Sequence, residues 1–340
     1  MEDMMNPISR RTFIFSTGVL SALALAGCGG TGSSSSAASA SAASSNAASS
    51  GQLTVGTLAT EDLLPLWVAQ ETGALSRAGL DVVIVTFQSA TELIAGVASG
   101  EVDMAMTDIM VAASMFAGGT DIQMEWVTLG TTPEQGRFGI MVNGSSNVKT
   151  LTDLAGVPIG VGSNTILEYV MDKLMEQAGI PEDKIVVEEL QKLPVRYQAM
   201  ESGQVAAAAL PGSLLALGEA TGCRTVADDT TGENISQSVM VARSDALANP
   251  DNVKRIEQMK EVWDETAEQI NKNPEAYRST LVANANLSDV VADTYPISQY
   301  PLCQLSTNDM VAPVLEWMQK KGYLTQPLSY DEKTGVFSLK

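Results

Sequence analysis

The sequence predicts a two-lobed α/β protein, each lobe a mostly parallel sheet flanked by helices, with a ligand cleft between the lobes. Three observations carry this. Short apolar runs alternate with segments of helical period at the spacing of β-α units, which implies a sheet covered on both faces. The alternation pauses after Val142 and restarts at Val157. A further strand-like run, Ser238 to Ala242, follows the second set and precedes a largely helical tail, so the chain returns to its first lobe.

Taken in order, residues 53–57 read as a short buried strand, followed by Leu63, Leu64, Trp67 and Val68 at helical spacing and by Gly73 as a helix stop. Val82 to Phe87 is the next strand, Ala90 to Ser99 a helix closed by Gly100, and Val102 to Met106 a strand leading into an Ala- and Met-rich helix from about Ile109. Asn143-Gly144-Ser145-Ser146 marks a turn, and Leu151 to Leu154 a short helical segment. Val157 to Val161 and Ile185 to Glu189 are strands around a helix whose apolar face is Ile166, Leu167, Val170, Met171, Leu174 and Met175. Pro194 opens a helix at an allowed first-turn position, and Val205 to Leu210 and Arg224 to Ala227 complete a second, smaller sheet. In the tail, Val253, Ile256, Met259, Val262, Trp263 and Ile270 share one side of a long helix. The expected lobes are residues 52–143 with 240–340, and 144–239, with crossings near 143–147 and 236–240.

Ahead of this body lies an export signal. Arg10 and Arg11 precede an apolar run from Phe13 to Ala26, shorter than the roughly 20 residues that span a bilayer as a helix. Leu25-Ala26-Gly27-Cys28 resembles the bacterial lipobox, which predicts cleavage after residue 27 and lipidation of Cys28. Ser9-Arg10-Arg11-Thr12-Phe13-Ile14 also resembles a twin-arginine export pattern. Residues 28–51 are almost entirely Ser, Ala and Gly after the cysteine, a composition that buries no core and reads as a flexible tether. The expected location is the outer face of the cytoplasmic membrane, held there by the lipid.

The formal charge of −20 is unchanged by removing residues 1–27, because Glu2 and Asp3 offset Arg10 and Arg11. So acidic a body is repelled by nucleic acid. Beyond Cys28 only Cys223 and Cys303 remain, too few for a disulfide scaffold or a cysteine-rich metal site, and on the expected lobes they stay separate thiols. Methionines outside the signal fall mostly on helix faces and read as packing, so neither metal nor cofactor is expected. The chain contains no histidine, which removes the usual general base, the Ser-His triad and most zinc sites.

Several segments in order carry a family resemblance: Leu64-Pro65-Leu66-Trp67-Val68-Ala69, Gly73-Ala74-Leu75, Ala78-Gly79-Leu80-Asp81-Val82, Ala98-Ser99-Gly100-Glu101-Val102-Asp103, Leu151-Thr152-Asp153-Leu154-Ala155-Gly156, and Trp263 to Pro274. Together, behind a lipobox, they resemble the sulfonate, nitrate and thiamine-precursor branch of the solute-binding lipoproteins of ABC importers. The resemblance implies a type II periplasmic-binding-protein fold, acting as a monomer that presents a small solute to a membrane permease and its ATPase. A ligand-sensing receptor and a carboxylate-only enzyme on the same fold are the alternatives, distinguished by a partner kinase and by turnover of the ligand.

In open α/β sheets ligands collect at the carboxyl ends of strands, where helix N-termini point. That rule selects Thr60, Glu61 and Asp62, Ser89 to Thr91, and Thr107 with Asp108 in the first lobe. In the second it selects Ser163, Asn164 and Thr165 with Glu168, and Pro211 to Ser213. Each also has a structural role to play: Thr60 as a helix cap, Ser89-Ala90-Thr91-Glu92 and Thr165-Ile166-Leu167-Glu168 as capping boxes. Ligand charge stays open, because helix N-termini favour an anion while Glu61, Asp62, Asp108 and Glu168 favour a cation or a donor-rich neutral solute. No arginine lies in these loops, and Arg137, Arg196 and Arg224 read as solvated or ion-paired surface groups. This weighs against a sulfonate or nitrate pocket and leaves a thiamine-precursor-like heterocycle open. Trp67 and Tyr197 fall at core-like helical positions, and Tyr169 is the aromatic best placed to stack on a ring.

Overall fold

The computed structural model describes residues 51–285 and 287–340; the predicted signal, Cys28 and nearly all of the tether lie outside the described residues. The first half of the chain forms β1 (Gln52–Leu58), α1 (Leu64–Glu71), α2 (Ala74–Arg77), β2 (Asp81–Phe87), α3 (Ala90–Ala98), β3 (Met104–Asp108), α4 (Ile109–Ala117), β4 (Ile122–Leu129) and β5 (Phe138–Val142). There follow β6 (Pro158–Val161), α5 (Ile166–Gln177), β7 (Val186–Glu189), α6 (Leu193–Glu201), β8 (Ala207–Pro211), α7 (Gly212–Ala220), β9 (Arg224–Asp228) and β10 (Ser238–Arg243). The last part holds α8 (Ser244–Leu247), α9 (Pro250–Lys272), α10 (Arg278–Asn284), α11 (Asn308–Lys321), β11 (Leu328–Asp331) and β12 (Val336–Leu339). Among the described residues no helix is long and apolar enough to cross a membrane.

Two sheets result, one of seven strands in the order β11-β12-β4-β10-β3-β1-β2 and one of five in the order β7-β6-β8-β5-β9. Both are mixed, which corrects the expectation of mostly parallel sheets. β1 runs parallel to β2 and β3, and β6 parallel to β7 and β8. β10 is antiparallel to β3 and β4, and β5 antiparallel to β8 and β9. The reversal has a geometric cause. Strands followed by returning helices all run toward the same edge of their sheet, and the chain leaves for the other sheet from that edge. A strand arriving from the other sheet enters at this edge and must run away from it.

The first crossing is residues 130–137, because β5 belongs to the five-stranded sheet. The predicted boundary at residue 143 therefore falls after the wrong strand, and the return crossing is residues 229–237. The two segments are tied to each other: Asn234 Nδ2 donates to the Gly130 carbonyl at 2.8 Å, and the Phe138 N–H to Asp229 Oδ1 at 2.7 Å. Gly130 has φ of +93°, and a side chain there would collide with the Ser236 carbonyl, so only glycine fits. The tail is also less helical than expected, since β11 and β12 form a hairpin that extends the larger sheet beside β4.

The core of the larger sheet is covered on one face by α1, α9 and α10, where Trp126 of β4 packs on Trp263 of α9 with ring centroids 5.6 Å apart. Trp263 Nε1–H is satisfied by the Pro301 carbonyl at 3.1 Å. The other face carries α3, α4 and α11, and its apolar cluster runs without a break through Trp317 of α11 and Tyr169 of α5 into the five-stranded sheet. Those two rings meet edge to face at 5.3 Å. Cys223 and Cys303 are both free, as expected.

Candidate functional site

The strands that feed helices end facing a cavity of about 70 Å³ between the two sheets. At about 10–15 Å³ for each water-sized position, it accommodates roughly five to seven such groups, the scale of a compact polar solute. Five helices of the β-α units begin at its wall: α3 and α4 from the larger sheet, α5, α6 and α7 from the smaller. Thr60, Asp62, Ser89, Thr107, Asp108, Thr165 and Pro211 all line it, so seven of the predicted positions converge.

Several of these also cap helices. Ser89 Oγ accepts from the Glu92 N–H at 3.2 Å, and Glu92 reaches back to the Gln88 N–H at 3.0 Å. Asp108 does more than cap its own helix. One oxygen accepts from the Val111 N–H at 2.8 Å, and the other accepts from the Ile166 N–H of α5, in the opposite sheet's half, at 3.0 Å. Burial pushes its carboxyl up to about 6 against these bonds. Thr165 does not form the predicted box; its hydroxyl donates to the Gly162 carbonyl at 2.7 Å.

The remaining predicted residues lie elsewhere. Ser163 pairs with Glu189, and Asn164 Nδ2 donates to Ser114 Oγ at 2.7 Å. Glu168 is turned from the cavity toward α11: it takes Lys321 Nζ at 3.0 Å and the Tyr323 hydroxyl at 2.7 Å. Tyr169 packs on Trp317 in the same contact and is not a stacking platform for a ligand. Glu61 is buried beside the cavity with one oxygen bonded by the Tyr295 hydroxyl and the other unpartnered. Burial, with the neighbouring Asp62 charge, raises its carboxyl to about 7. Ser213 lines a smaller adjoining cavity that shares Leu58, Leu193 and Pro211 with the first.

The arginine expectation is overturned at one position. Arg137 is ion-paired, with Glu219 and Asp228 both at 2.8 Å, and Arg224 donates to the Ser146 and Val148 carbonyls. Arg196 instead lies inside, 2 % exposed, on the cavity wall. Its guanidinium donates to the carbonyls of Leu190 at 2.8 Å, Ala209 at 3.0 Å and Gln191 at 3.2 Å, and no carboxylate pairs with it among the described residues. Burial lowers its pKa to about 10, which leaves it a cation at neutral pH. Sequence reasoning also missed Leu58, Met106, Phe138, Gln191, Leu193 and Ser238, all of which line the cavity.

Two mixed sheets joined by paired crossings, with helix N-termini converging on an intervening cavity, define a type II periplasmic-binding-protein fold. The alkanesulfonate-binding protein SsuA from Xanthomonas axonopodis pv. citri, bound to MOPS, superposes with a TM-score of 0.68 at 18% identity, over 85% of this chain and 98% of that one. The periplasmic aliphatic sulphonate binding protein SsuA from Escherichia coli gives 0.68 at 16%, over 85% and 93%. A desulfurization enzyme, DszB, gives 0.58 at 18%, over 81% and 94%. The chain itself belongs to the NMT1/THI5-like family, whose model matches residues 60–276. No curated protein is significantly similar to it in sequence.

Proposed function

We propose that this protein is the solute-binding component of an ABC importer, capturing a small polar solute with an oxyanionic group between its sheets and delivering it to a permease and ATPase. The observation that carries this is Arg196, a buried cation on the cavity wall that is held by backbone carbonyls and, among the described residues, is ion-paired to no carboxylate, the nearby Glu189 included. A buried charge is costly unless paired. A solute oxyanion supplies that pair, and the converging helix N-termini add favourable dipoles. The sulfonate ligands of the structural neighbours fit the same chemistry, and the absence of histidine from the sequence fits binding better than catalysis. The expected lipid at Cys28 would hold the body on the outer face of the cytoplasmic membrane, within reach of the permease.

The test is a thermal-shift screen of the purified protein against sulfonates, nitrate, thiamine precursors, amino acids and polyamines, with each bound compound recovered and analysed. A saturable shift by an oxyanionic class, with the compound intact and the shift abolished by Arg196→Met, is the expected result. Chemical conversion of the bound compound would replace the transport reading with an enzymatic one.

A further inference from the structure

The two walls of the cavity carry unpaired charges of opposite sign. On one wall, Asp62 is 4 % exposed and has a single partner, the Ser238 hydroxyl on one oxygen. Its neighbours are Asp108, on that wall, and Glu61, buried beside the cavity, so three carboxyls lie together, and no lysine or arginine forms an ion pair with any of them among the described residues. Two of the three hold their protons more tightly than usual, which is the response of crowded, buried acids without a cation. On the facing wall is Arg196, likewise buried and, among the described residues, without an ion-pair partner, Glu189 being the one carboxylate close enough to act on it. Asp62 and Arg196 form no ion pair with each other, although both line one compact cavity.

A plain anion answers only Arg196 and is repelled by the carboxyls opposite. A plain cation answers only Asp62. Asp108 sharpens the division, because its carboxylate already occupies the first free N–H of α5 and so keeps a solute oxyanion away from that helix end. Resting on the solute-binding reading above, we propose that the ligand class is zwitterionic: a small amino acid or amino sulfonate whose acid meets Arg196 and whose ammonium meets Asp62. Each buried charge of the protein then gains a partner, and the ligand bridges the two sheets through opposite charges, so that only a molecule carrying both holds the two halves together.

The experiment is calorimetric titration at pH 7 with sets matched in size: propane-1-sulfonate, 3-aminopropane-1-sulfonate and propylamine, then butanoate, 4-aminobutanoate and butylamine. In at least one set the zwitterion is expected to bind at least tenfold more tightly than either single-charge analogue. Asp62→Asn is expected to cut that ratio below about threefold, with circular dichroism showing the variant folded. If a desamino acid binds as tightly as its amino counterpart, the inference is overturned while the solute-binding reading stands. If acids, amines and zwitterions all fail to bind, both fall together.

Discussion

Glu61 offers a test in which the magnitude follows from the structure. Its carboxyl is buried, accepts one bond from the Tyr295 hydroxyl and leaves its second oxygen unpartnered. Burial lifts its pKa from 4.5 to about 7. A raised carboxyl contributes fully to stability below the unfolded value and loses that contribution as pH rises through the folded one. The shift of about 2.5 units, at 1.36 kcal/mol each, corresponds to about 3 kcal/mol. Glu61→Gln keeps an acceptor for Tyr295 and cannot ionise. Unfolding by urea, followed by tryptophan fluorescence from pH 4.5 to 8.5, should therefore show the variant gaining on the wild type by about 3 kcal/mol across the range, most of it between pH 5 and 7. Parallel profiles, with a gap that changes by less than about 0.5 kcal/mol, would refute the assignment of a buried, proton-retaining carboxyl.

Three further outcomes follow from the geometry. Gly212→Ala places a Cβ 2.5 Å from the Tyr295 hydroxyl and 3.0 Å from Glu61 Oε1. It should hold the halves apart and weaken solute binding about tenfold, near 1.4 kcal/mol; recovery in the Tyr295→Phe background confirms the cause, and wild-type affinity sinks it. Lys321→Met strands Glu168 and Asp172, both buried and both 3.0 Å from Lys321 Nζ. A loss of about 3 kcal/mol at pH 8, smaller in acid where the Asp172 carboxyl, already pushed up by burial, takes a proton, is expected from urea unfolding. Arg196→Lys keeps the charge but not the fork that spans three carbonyls, so calorimetry should show affinity reduced about tenfold or more; unchanged affinity would remove Arg196 from the site.

The β-α alternation was legible because each strand is a short apolar run closed by a capped helix, as at Ser89 and Asp108, and these local signals agree with the fold. β4 was harder. Ile122 to Leu129 contains Gln123 and Glu125, and the buried Glu125 is made tolerable by Lys260 at 2.8 Å, far away in sequence on α9. Missing β4 and β5 displaced the crossing, although Gly130-Thr131-Thr132-Pro133-Glu134-Gln135-Gly136 is a cluster of chain-breaking residues that marks it. Arg196 was illegible from its own helix, which reads as an ordinary surface segment. The signal lay in β6 and the residue after it: Gly160 and Gly162 are bare where the arginine side chain passes, and a Cβ on Gly162 would come within 2.7 Å of its guanidinium. Glu168 and Tyr169 sat in the right loop-to-helix segment but turned to α11, whose position no local pattern encodes.

The contact between α5 and α11 bears on how the chain matures during synthesis. Glu168 and Asp172 lie near the middle of the chain, while Trp317, Lys321 and Tyr323, which satisfy them, are among its last residues. A ribosome emits these partners roughly 150 residues after the acids, at about 5–20 residues per second, so close to ten seconds or more separate the two. Once β7, β8 and β9 have followed within that interval, α5 has its strands but not its counterion, and the five-stranded half waits unfinished for α11. Loss of the final thirty or so residues would thus damage the half of the molecule that they do not belong to.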